Sequence, residues 1–183
     1  MHVSAPGRNA PAYDLSGLHI LVVEDNVHTQ SLIRAVLRSF NVGSVEIADD
    51  GEAGFDIFNK MRPDLVITDW EMGPTDGIEL VDRIRRSSDS TDRYVPVIMI
   101  TANTELHRVK DAINHGIHEF LAKPISPLGL YTRICKIIEH PRAFVRSDAF
   151  TGPDRRRNTG TNYDGPNRRG GNAHKASNPA VAE

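Results

Sequence analysis

Residues 67–77, ITDWEMGPTDG, place the carboxylate of Asp69 directly after an apolar run and directly before a loop rich in glycine and proline. The letters LVIT, which precede the acid, are typical of a strand that is buried along its whole length. An acid one step past the carboxyl end of such a strand lies at the rim of the sheet, where α/β proteins bind ligands. Because an isolated aspartate is more often an exposed turn residue, a functional assignment requires other polar groups at the same rim.

The composition is that of an ordinary soluble protein, with 39% hydrophobic and 25% charged residues in a chain of 183. No apolar stretch approaches the roughly 20 residues of a membrane span. The first residues also lack the apolar centre of a signal peptide. We therefore expect a cytoplasmic protein that does not contact a membrane. The single cysteine, Cys135, falls in a helical pattern and is expected to be a buried core residue.

Charge divides the chain into two parts. Up to His140 there are 14 Lys and Arg against 20 Asp and Glu, whereas the remainder has 8 against 4. The basic part is rich in Gly, Pro, Asn and Arg and has few periodic apolar residues, which is typical of disorder. We predict a flexible extension over residues 1–15, a folded domain over residues 16–140, and a disordered basic tail over residues 141–183.

The folded part alternates between two kinds of hydrophobic pattern. Short apolar runs predict strands, at residues 18–23, 45–48, 64–68, 95–100 and 118–122. Helical spacing predicts five intervening helices, which include Ile33–Val36–Leu37–Phe40, residues 53–61, 78–84 and 106–113, and Leu130–Ile134–Ile137–Ile138. This alternation predicts an α/β, flavodoxin-like (βα)5 doubly wound parallel sheet, with strand order 2-1-3-4-5.

Polar residues stand at the carboxyl ends of four of these strands: Glu24 and Asp25, Asp69, Thr101, and Lys123 before Pro124. Each alone could be a helix cap or a surface residue, but their coincidence favours a site. Three crowded carboxylates repel one another without a cation, and oxygen ligands suit Mg²⁺. A phosphoryl group would complement the metal, the ammonium and the hydroxyl while one carboxylate attacks phosphorus to give an aspartyl phosphate.

The motifs VVEDN, LVITDWEMGPTDG, VIMITA and FLAKP, in this order and spacing, resemble the receiver domain of two-component response regulators. The resemblance covers roughly residues 16–140. It implies Asp69 as phosphoacceptor, Lys123 as the amine that pairs with the phosphate, and Thr101 and Phe120 as switch residues. It further implies that Mg²⁺ binds at Glu24, Asp25, Asp69 and the backbone carbonyl of Glu71. The Lys123–Pro124 bond is expected to be cis.

Three residues depart from the usual family pattern. Glu24 stands where the family commonly has aspartate, and its longer side chain can still reach a metal-bound water. Gly73 separates Met72 from Pro74, where the family commonly has proline directly after methionine, which leaves the shape of this loop open. Phe120 lacks a hydroxyl, so its rotation would report only the burial of a ring.

The resemblance implies a phosphorylation-controlled signalling module that accepts a phosphoryl group from a histidine kinase or a histidine phosphotransfer protein. Such a protein is not an enzyme with an external substrate, although it assists its own phosphotransfer and dephosphorylation. No output domain is expected after His140, so the signal would pass to an unknown downstream protein by docking. A homodimer could form through the fourth helix, the fifth strand and the fifth helix.

Other classes of function stay open at this point. A Mg²⁺-dependent phosphohydrolase or a flavodoxin-like binder of small molecules could use the same rim. Each would need a substrate pocket or aromatic loops, whereas the loops here are short and Trp70 is their only large aromatic residue. An adaptor that works without phosphorylation is disfavoured by the full reactive set.

The basic tail contains a near-repeat, FTGPDRR at residues 150–156 and YDGPNRR at residues 163–169. Chance similarity is one explanation; the other is a pair of short binding elements with an aromatic anchor, a turn and an arginine fork. Their candidate contact residues are Phe150, Arg155, Arg156, Tyr163, Arg168 and Arg169. Nucleic acid is the less favoured partner because the isoelectric point is about 6.4.

Three histidines, His107, His115 and His118, lie around the predicted fourth helix. Their spacing does not favour convergence on one metal ion. We expect surface or interface positions for them and no part in phosphotransfer.

Overall fold

A computed structural model describes residues 13–102, 115–140, 144–147 and 150–153. Five parallel strands form one sheet in the order β2-β1-β3-β4-β5, which confirms the predicted topology. They are β1 (His19–Val23), β2 (Ser44–Ala48), β3 (Leu65–Asp69), β4 (Val97–Thr101) and β5 (Glu119–Ala122).

Four helices are described: α1 (Val27–Ser39), α2 (Gly51–Met61), α3 (Gly77–Arg86) and α4 (Pro127–Glu139). The helix predicted over residues 106–113 lies outside the described residues. A side chain caps each start, from Asn26, Asp50, Asp76 and Ser126. In α3 the cap is a reciprocal capping box between Asp76 and Glu79. None of the described helices is long and apolar enough to cross a membrane.

The sheet separates two hydrophobic cores. Phe55 and Phe58 of α2 pack with Leu80 and Ile84 of α3 on one face. On the other face, Ile33 and Leu37 of α1 pack with Leu130 and Ile134 of α4. Successive residues of β1 alternate between the cores, as the two-residue period of a strand requires. Helices therefore cover both faces of the central strands. The edges of the sheet formed by the ends of the strands are left accessible to ligands.

Strand ends differ by one or two residues from those predicted, and one difference concerns the site. Asp69 is the last residue of β3, where it pairs with Ile100, whereas the sequence pattern placed it one step beyond the strand. The next backbone N–H, of Trp70, donates to the carbonyl oxygen of Ile100 at 2.9 Å. The pairing with β4 thus holds the backbone at Asp69 and at the next residue, Trp70.

The chain after α4 corrects the predicted domain boundary at His140. Two short antiparallel strands, β6 (Phe144–Ser147) and β7 (Phe150–Pro153), form a hairpin, and β7 lies against α3. Gly152 and Pro153 are buried. The predicted disorder of residues 141–183 is wrong for these eight residues, because FVRS and FTGP are short and the composition of the segment around them, rich in Gly, Pro, Asn and Arg, dominated the prediction. The other residues of this segment lie outside the described ranges.

The N-terminal boundary also moves. Leu15 is buried in the α1–α4 core, although the sequence assigned residues 1–15 to a flexible extension. The Tyr13 hydroxyl donates to Glu139 Oε1 at 2.6 Å, and the Tyr13 N–H donates to the Tyr131 hydroxyl at 3.4 Å. The chain therefore enters the folded domain beside the last turns of α4.

Candidate functional site

The parallel strands bring four predicted site residues to one edge of the sheet. Glu24 follows β1, Asp69 ends β3, Thr101 ends β4 and Lys123 follows β5. The Lys123 ammonium donates to Asp69 Oδ2 at 2.7 Å and to Glu24 Oε2 at 3.3 Å. Residues 99 positions apart in the chain are thus in direct contact at the carboxyl edge.

Local backbone structure holds the Asp69 side chain in place. Its Oδ1 accepts a hydrogen bond from the Trp70 N–H at 2.8 Å, and the Thr68 hydroxyl donates to the Asp69 carbonyl oxygen at 2.9 Å. Gly77, the first residue of α3, lies so close that a Cβ there would be 2.0 Å from the Asp69 carbonyl oxygen. Only glycine fits this position, so the approach of α3 to β3 depends on Gly77.

Three carboxylates form an acidic cluster at this edge. One oxygen from each of Glu24, Asp25 and Asp69 lies within 4.8 Å of the other two. Glu24 and Asp69 are buried, with 1% and 4% of their surface exposed, whereas Asp25 is exposed.

Burial and the neighbouring charge of Asp69 raise the pKa of Glu24, although Lys123 and the Asn26 N–H act against this shift. Negative charge is therefore only partly compensated here. Such a set of hard oxygen donors fits a divalent cation of the Mg²⁺ type.

Lys123 is the cation nearest to this cluster among the described residues. Burial lowers its pKa, but the hydrogen bond and charge of Asp69 together with the charge of Glu24 outweigh that effect. The net result is a raised pKa, so the ammonium is charged at neutral pH. The same residue precedes a cis proline bond, Lys123–Pro124, as the resemblance implied.

An open crevice of about 420 Å³ adjoins the acidic cluster. It is lined by Asp25, Trp70, Glu71, Met72, Gly73 and Asp76. The Gly73–Pro74 bond in this loop is also cis, which answers the question of loop shape that the family departure raised. Glu71 and Asp25 therefore border the same space, as a shared metal site would require.

The switch candidates occupy the neighbouring strands. Thr101 is buried at the end of β4. Phe120 is half-buried in β5, packs beside the α2–α3 core, and its carbonyl oxygen accepts from Arg133 Nε at 2.9 Å. The ring is thus neither fully inserted nor fully exposed.

The described histidines do not join this site. His115 Nδ1 lies 2.9 Å from an Asp82 carboxylate oxygen. His118 is buried, and its Nδ1 accepts the Val97 N–H at 3.2 Å. The expectation of a surface or interface position is therefore wrong for His118, which the C-terminal hairpin covers. His107 lies outside the described residues.

Comparison with known proteins agrees with this geometry. The family described as response regulator receiver domain matches residues 20–135. The chain belongs to this receiver family. Chemotaxis protein CheY-3 of Vibrio cholerae is 30% identical over 122 residues, which are 67% of this chain and 92% of that protein. The phosphate regulon transcriptional regulatory protein PhoB of Escherichia coli is 32% identical over 115 residues, 63% of this chain and 49% of that protein.

Solved receiver structures share the fold. The crystal structure of CheY4 from Vibrio cholerae superposes with a TM-score of 0.59 at 25% identity, covering 64% of this chain and 96% of that one. The receiver domain of the Francisella response regulator 1452 gives a TM-score of 0.62. This receiver domain is accordingly a phosphorylation-controlled module of two-component signalling. Neither comparison favours the phosphohydrolase or the flavodoxin-like alternative.

Proposed function

We propose that Asp69 is the phosphoacceptor, and that a histidine kinase or a histidine phosphotransfer protein supplies the phosphoryl group. The observation that carries this proposal is the buried Asp69 carboxylate, held 2.7 Å from the Lys123 ammonium beside two further acids. An Asp69 oxygen forms a bond to phosphorus while the bond from phosphorus to the donor imidazole nitrogen breaks. The electron pair stays with the imidazole, whose other ring nitrogen carries a proton, so that the donor side chain leaves as a neutral imidazole.

Several groups of the chain would balance the charge of the transferred phosphoryl group. Lys123 would move its hydrogen bond from the Asp69 carboxylate to a phosphoryl oxygen, and the Thr101 hydroxyl would donate to another. Mg²⁺ would be held by Asp25, Asp69 and the Glu71 carbonyl, with Glu24 behind them, and supplies positive charge opposite the phosphoryl oxygens. Positioning and charge balance would thus suffice for transfer and for the later hydrolysis of the aspartyl phosphate.

The signal would leave the site through β4 and β5. Contact of Thr101 with the phosphoryl group favours one conformation only if that contact is absent from the other. Phe120 would then turn into the space that Thr101 leaves, and the surface formed by β5, α4 and the helix predicted over residues 106–113 would change. A downstream protein, or a second copy of the chain, would bind this surface.

The decisive experiment is labelling of full-length protein by a small acyl phosphate with Mg²⁺, followed by intact-mass analysis. The wild type should gain one phosphoryl group, and Asp69→Asn should gain none. Asp89→Asn is the matched control, because Asp89 is an exposed aspartate beyond the opposite end of α3. Full labelling of the Asp69→Asn variant would refute the assignment.

Lys123 and Asp25 should fail in different ways. Asp25→Ala should weaken Mg²⁺ binding at least tenfold in titration, since it removes an oxygen ligand. Lys123→Ala should retain Mg²⁺ binding and still accept phosphate slowly, but lose the response of Phe120, which chemical shifts report. An equal loss of metal affinity in both variants would contradict this division of roles.

A further inference from the structure

The loop that carries Glu24 and Asp25 begins where the pairing of β1 with β2 ends. The Glu24 N–H donates to the Ala48 carbonyl oxygen at 3.1 Å, so the pairing continues one residue past the end of β1. The Glu24 carbonyl oxygen accepts a hydrogen bond from a side chain, Gln30 Nε2 of α1, at 2.7 Å. The backbone at Glu24 is therefore held through both its N–H and its carbonyl group as the chain leaves the sheet.

The amide nitrogen of Gln30 has two acceptors. Besides the Glu24 carbonyl oxygen, it donates to Asp49 Oδ1, directly after β2, at 2.8 Å. A carbonyl oxygen and a carboxylate can only accept, so the two N–H groups of an amide match them and a carboxylate at position 30 would not. The Gln30 side chain thus connects α1 to the carboxyl ends of β1 and β2.

Gln30 also holds the chain on the other side of Asp25. Its backbone N–H donates to the Asn26 carbonyl oxygen at 2.9 Å, the first hydrogen bond of α1, and the Asn26 side chain caps this helix. One residue therefore binds the carbonyl oxygens of both neighbours of Asp25. Because the Asp25 side chain is exposed, the position of its carboxylate depends on the backbone that carries it.

We propose that Gln30 is a positioning residue for Mg²⁺, whose amide places the Asp25 carboxylate before the ion binds. The inference rests on the metal site proposed at Glu24, Asp25 and Asp69. Mg²⁺ requires a near-ideal octahedral geometry, and residues that hold a ligand in place contribute to metal affinity. The amide is neutral, so it orders the loop without adding a positive charge that would compete with the ion, in contrast to the Lys123 ammonium.

The test is a Mg²⁺ titration of the full-length, unphosphorylated protein, followed by the amide chemical shifts of Asp25 and Trp70, which line the crevice. Gln30→Met keeps the length of the side chain and removes both donors. It should weaken Mg²⁺ binding by about tenfold. Ser31→Ala is the matched control, because Ser31 is the exposed neighbour of Gln30 in α1, and it should bind Mg²⁺ as the wild type does.

The Mg²⁺ dependence of phosphorylation separates positioning from a general loss of structure. At saturating Mg²⁺, Gln30→Met should be phosphorylated by the small acyl phosphate at the wild-type rate. At limiting Mg²⁺, its rate should fall in proportion to the lost affinity. A purely structural role would lower the midpoint of urea unfolding and leave Mg²⁺ affinity unchanged, and this result would overturn the proposal.

Two further variants complete the experiment. Gln30→Asn keeps the amide on a side chain shorter by one methylene, so it should also bind Mg²⁺ less tightly, and wild-type affinity would contradict the role of the amide. Asp25→Ala tests the metal site itself. If it weakens Mg²⁺ binding and Gln30→Met does not, only the positioning role fails. Absence of Mg²⁺ binding in the wild type would overturn the metal site and this inference with it.

Discussion

Buried charge is neutralised to different extents at the two edges of the sheet. At the carboxyl edge, two buried acids and one exposed acid face one lysine. At the amino edge, Arg85 is only 2% exposed, yet its guanidinium donates to three backbone carbonyls and lies beneath the Phe144 ring. At the carboxyl edge the negative charge is only partly neutralised and the edge is open. At the amino edge the guanidinium of Arg85 has its hydrogen-bond acceptors and is covered by Phe144.

The difference shows which edge is suited to chemistry. Burial lowers the pKa of Arg85 to about 9, with the charge of Asp92 acting against the shift, so the guanidinium is charged at neutral pH. Its donors already have acceptors, and it would gain nothing from a ligand. The proposed binding of Mg²⁺ and a phosphoryl group at the carboxyl edge would supply the positive charge and the new contacts that this edge lacks, which is the condition for a switch.

Removing the charge at the covered edge should have the largest effect on stability. Arg85→Met leaves the carbonyls of Gly116, Arg93 and Val95 without their donor and should lower the free energy of unfolding by about 3–5 kcal/mol. Urea unfolding measures this loss. Arg86→Met, next to it but exposed in its ion pair with Asp82, should change stability by less than about 0.5 kcal/mol. Equal effects would show that the carbonyl contacts contribute little.

A methyl group at Gly77 should disturb the open edge through sterics. Because the Cβ of Gly77→Ala would clash with the Asp69 carbonyl oxygen, α3 or β3 must move, at a cost of about 1–3 kcal/mol. Phosphorylation should slow as Asp69 shifts away from Lys123. Gly73→Ala is the control, since a Cβ there meets nothing within 4 Å. A wild-type phosphorylation rate in Gly77→Ala would show that the position of α3 does not affect phosphorylation of Asp69.

The smallest effect concerns the pH dependence of stability. Since the pKa of Glu24 is raised in the folded protein, the folded state binds this proton more tightly than the unfolded chain. Stability from this group is therefore lost as pH rises from 4.5 through the folded pKa. Without divalent cations, Glu24→Gln should gain stability relative to wild type between pH 4 and pH 7.

Exposed Glu46 provides the control for that experiment, because Glu46→Gln removes the same charge from β2 without touching the cluster. Its stability difference from the wild type should stay nearly constant over the same pH range. If Glu24→Gln lost stability relative to the wild type as the pH rose, the negative charge at the carboxyl edge would be better neutralised than its contacts indicate.

Much of the open edge could be predicted from sequence. The runs of β1, β3 and β4 are continuously apolar, and parallel topology alone brings their carboxyl ends together. Glu24, Asp69, Thr101 and Lys123 then follow from their places at strand ends. Strand boundaries were less certain because a polar residue such as Asp69 can complete a strand through backbone pairing that its side chain does not reveal.

The covered edge could not be predicted in the same way. Arg83, Arg85 and Arg86 all look like the basic last turn of a helix, yet only Arg85 is buried. Its spacing of four residues from buried Val81 was the one available signal. The need for glycine at Gly77 and the docking of Phe144 both arise from contacts between distant segments, which a local pattern does not encode.

The contact of Tyr13 with Glu139 brings the entrance of the domain next to the end of its last helix. Because Tyr13 lies against the end of α4, residues 13–139 suit insertion into a loop of another protein, but such a unit would lack the hairpin β6–β7 that covers Arg85. A host loop would need to open by only a few ångströms to accept the unit between these residues. In such a fusion, a displacement of α4 would move both points at which the host chain is connected to the domain.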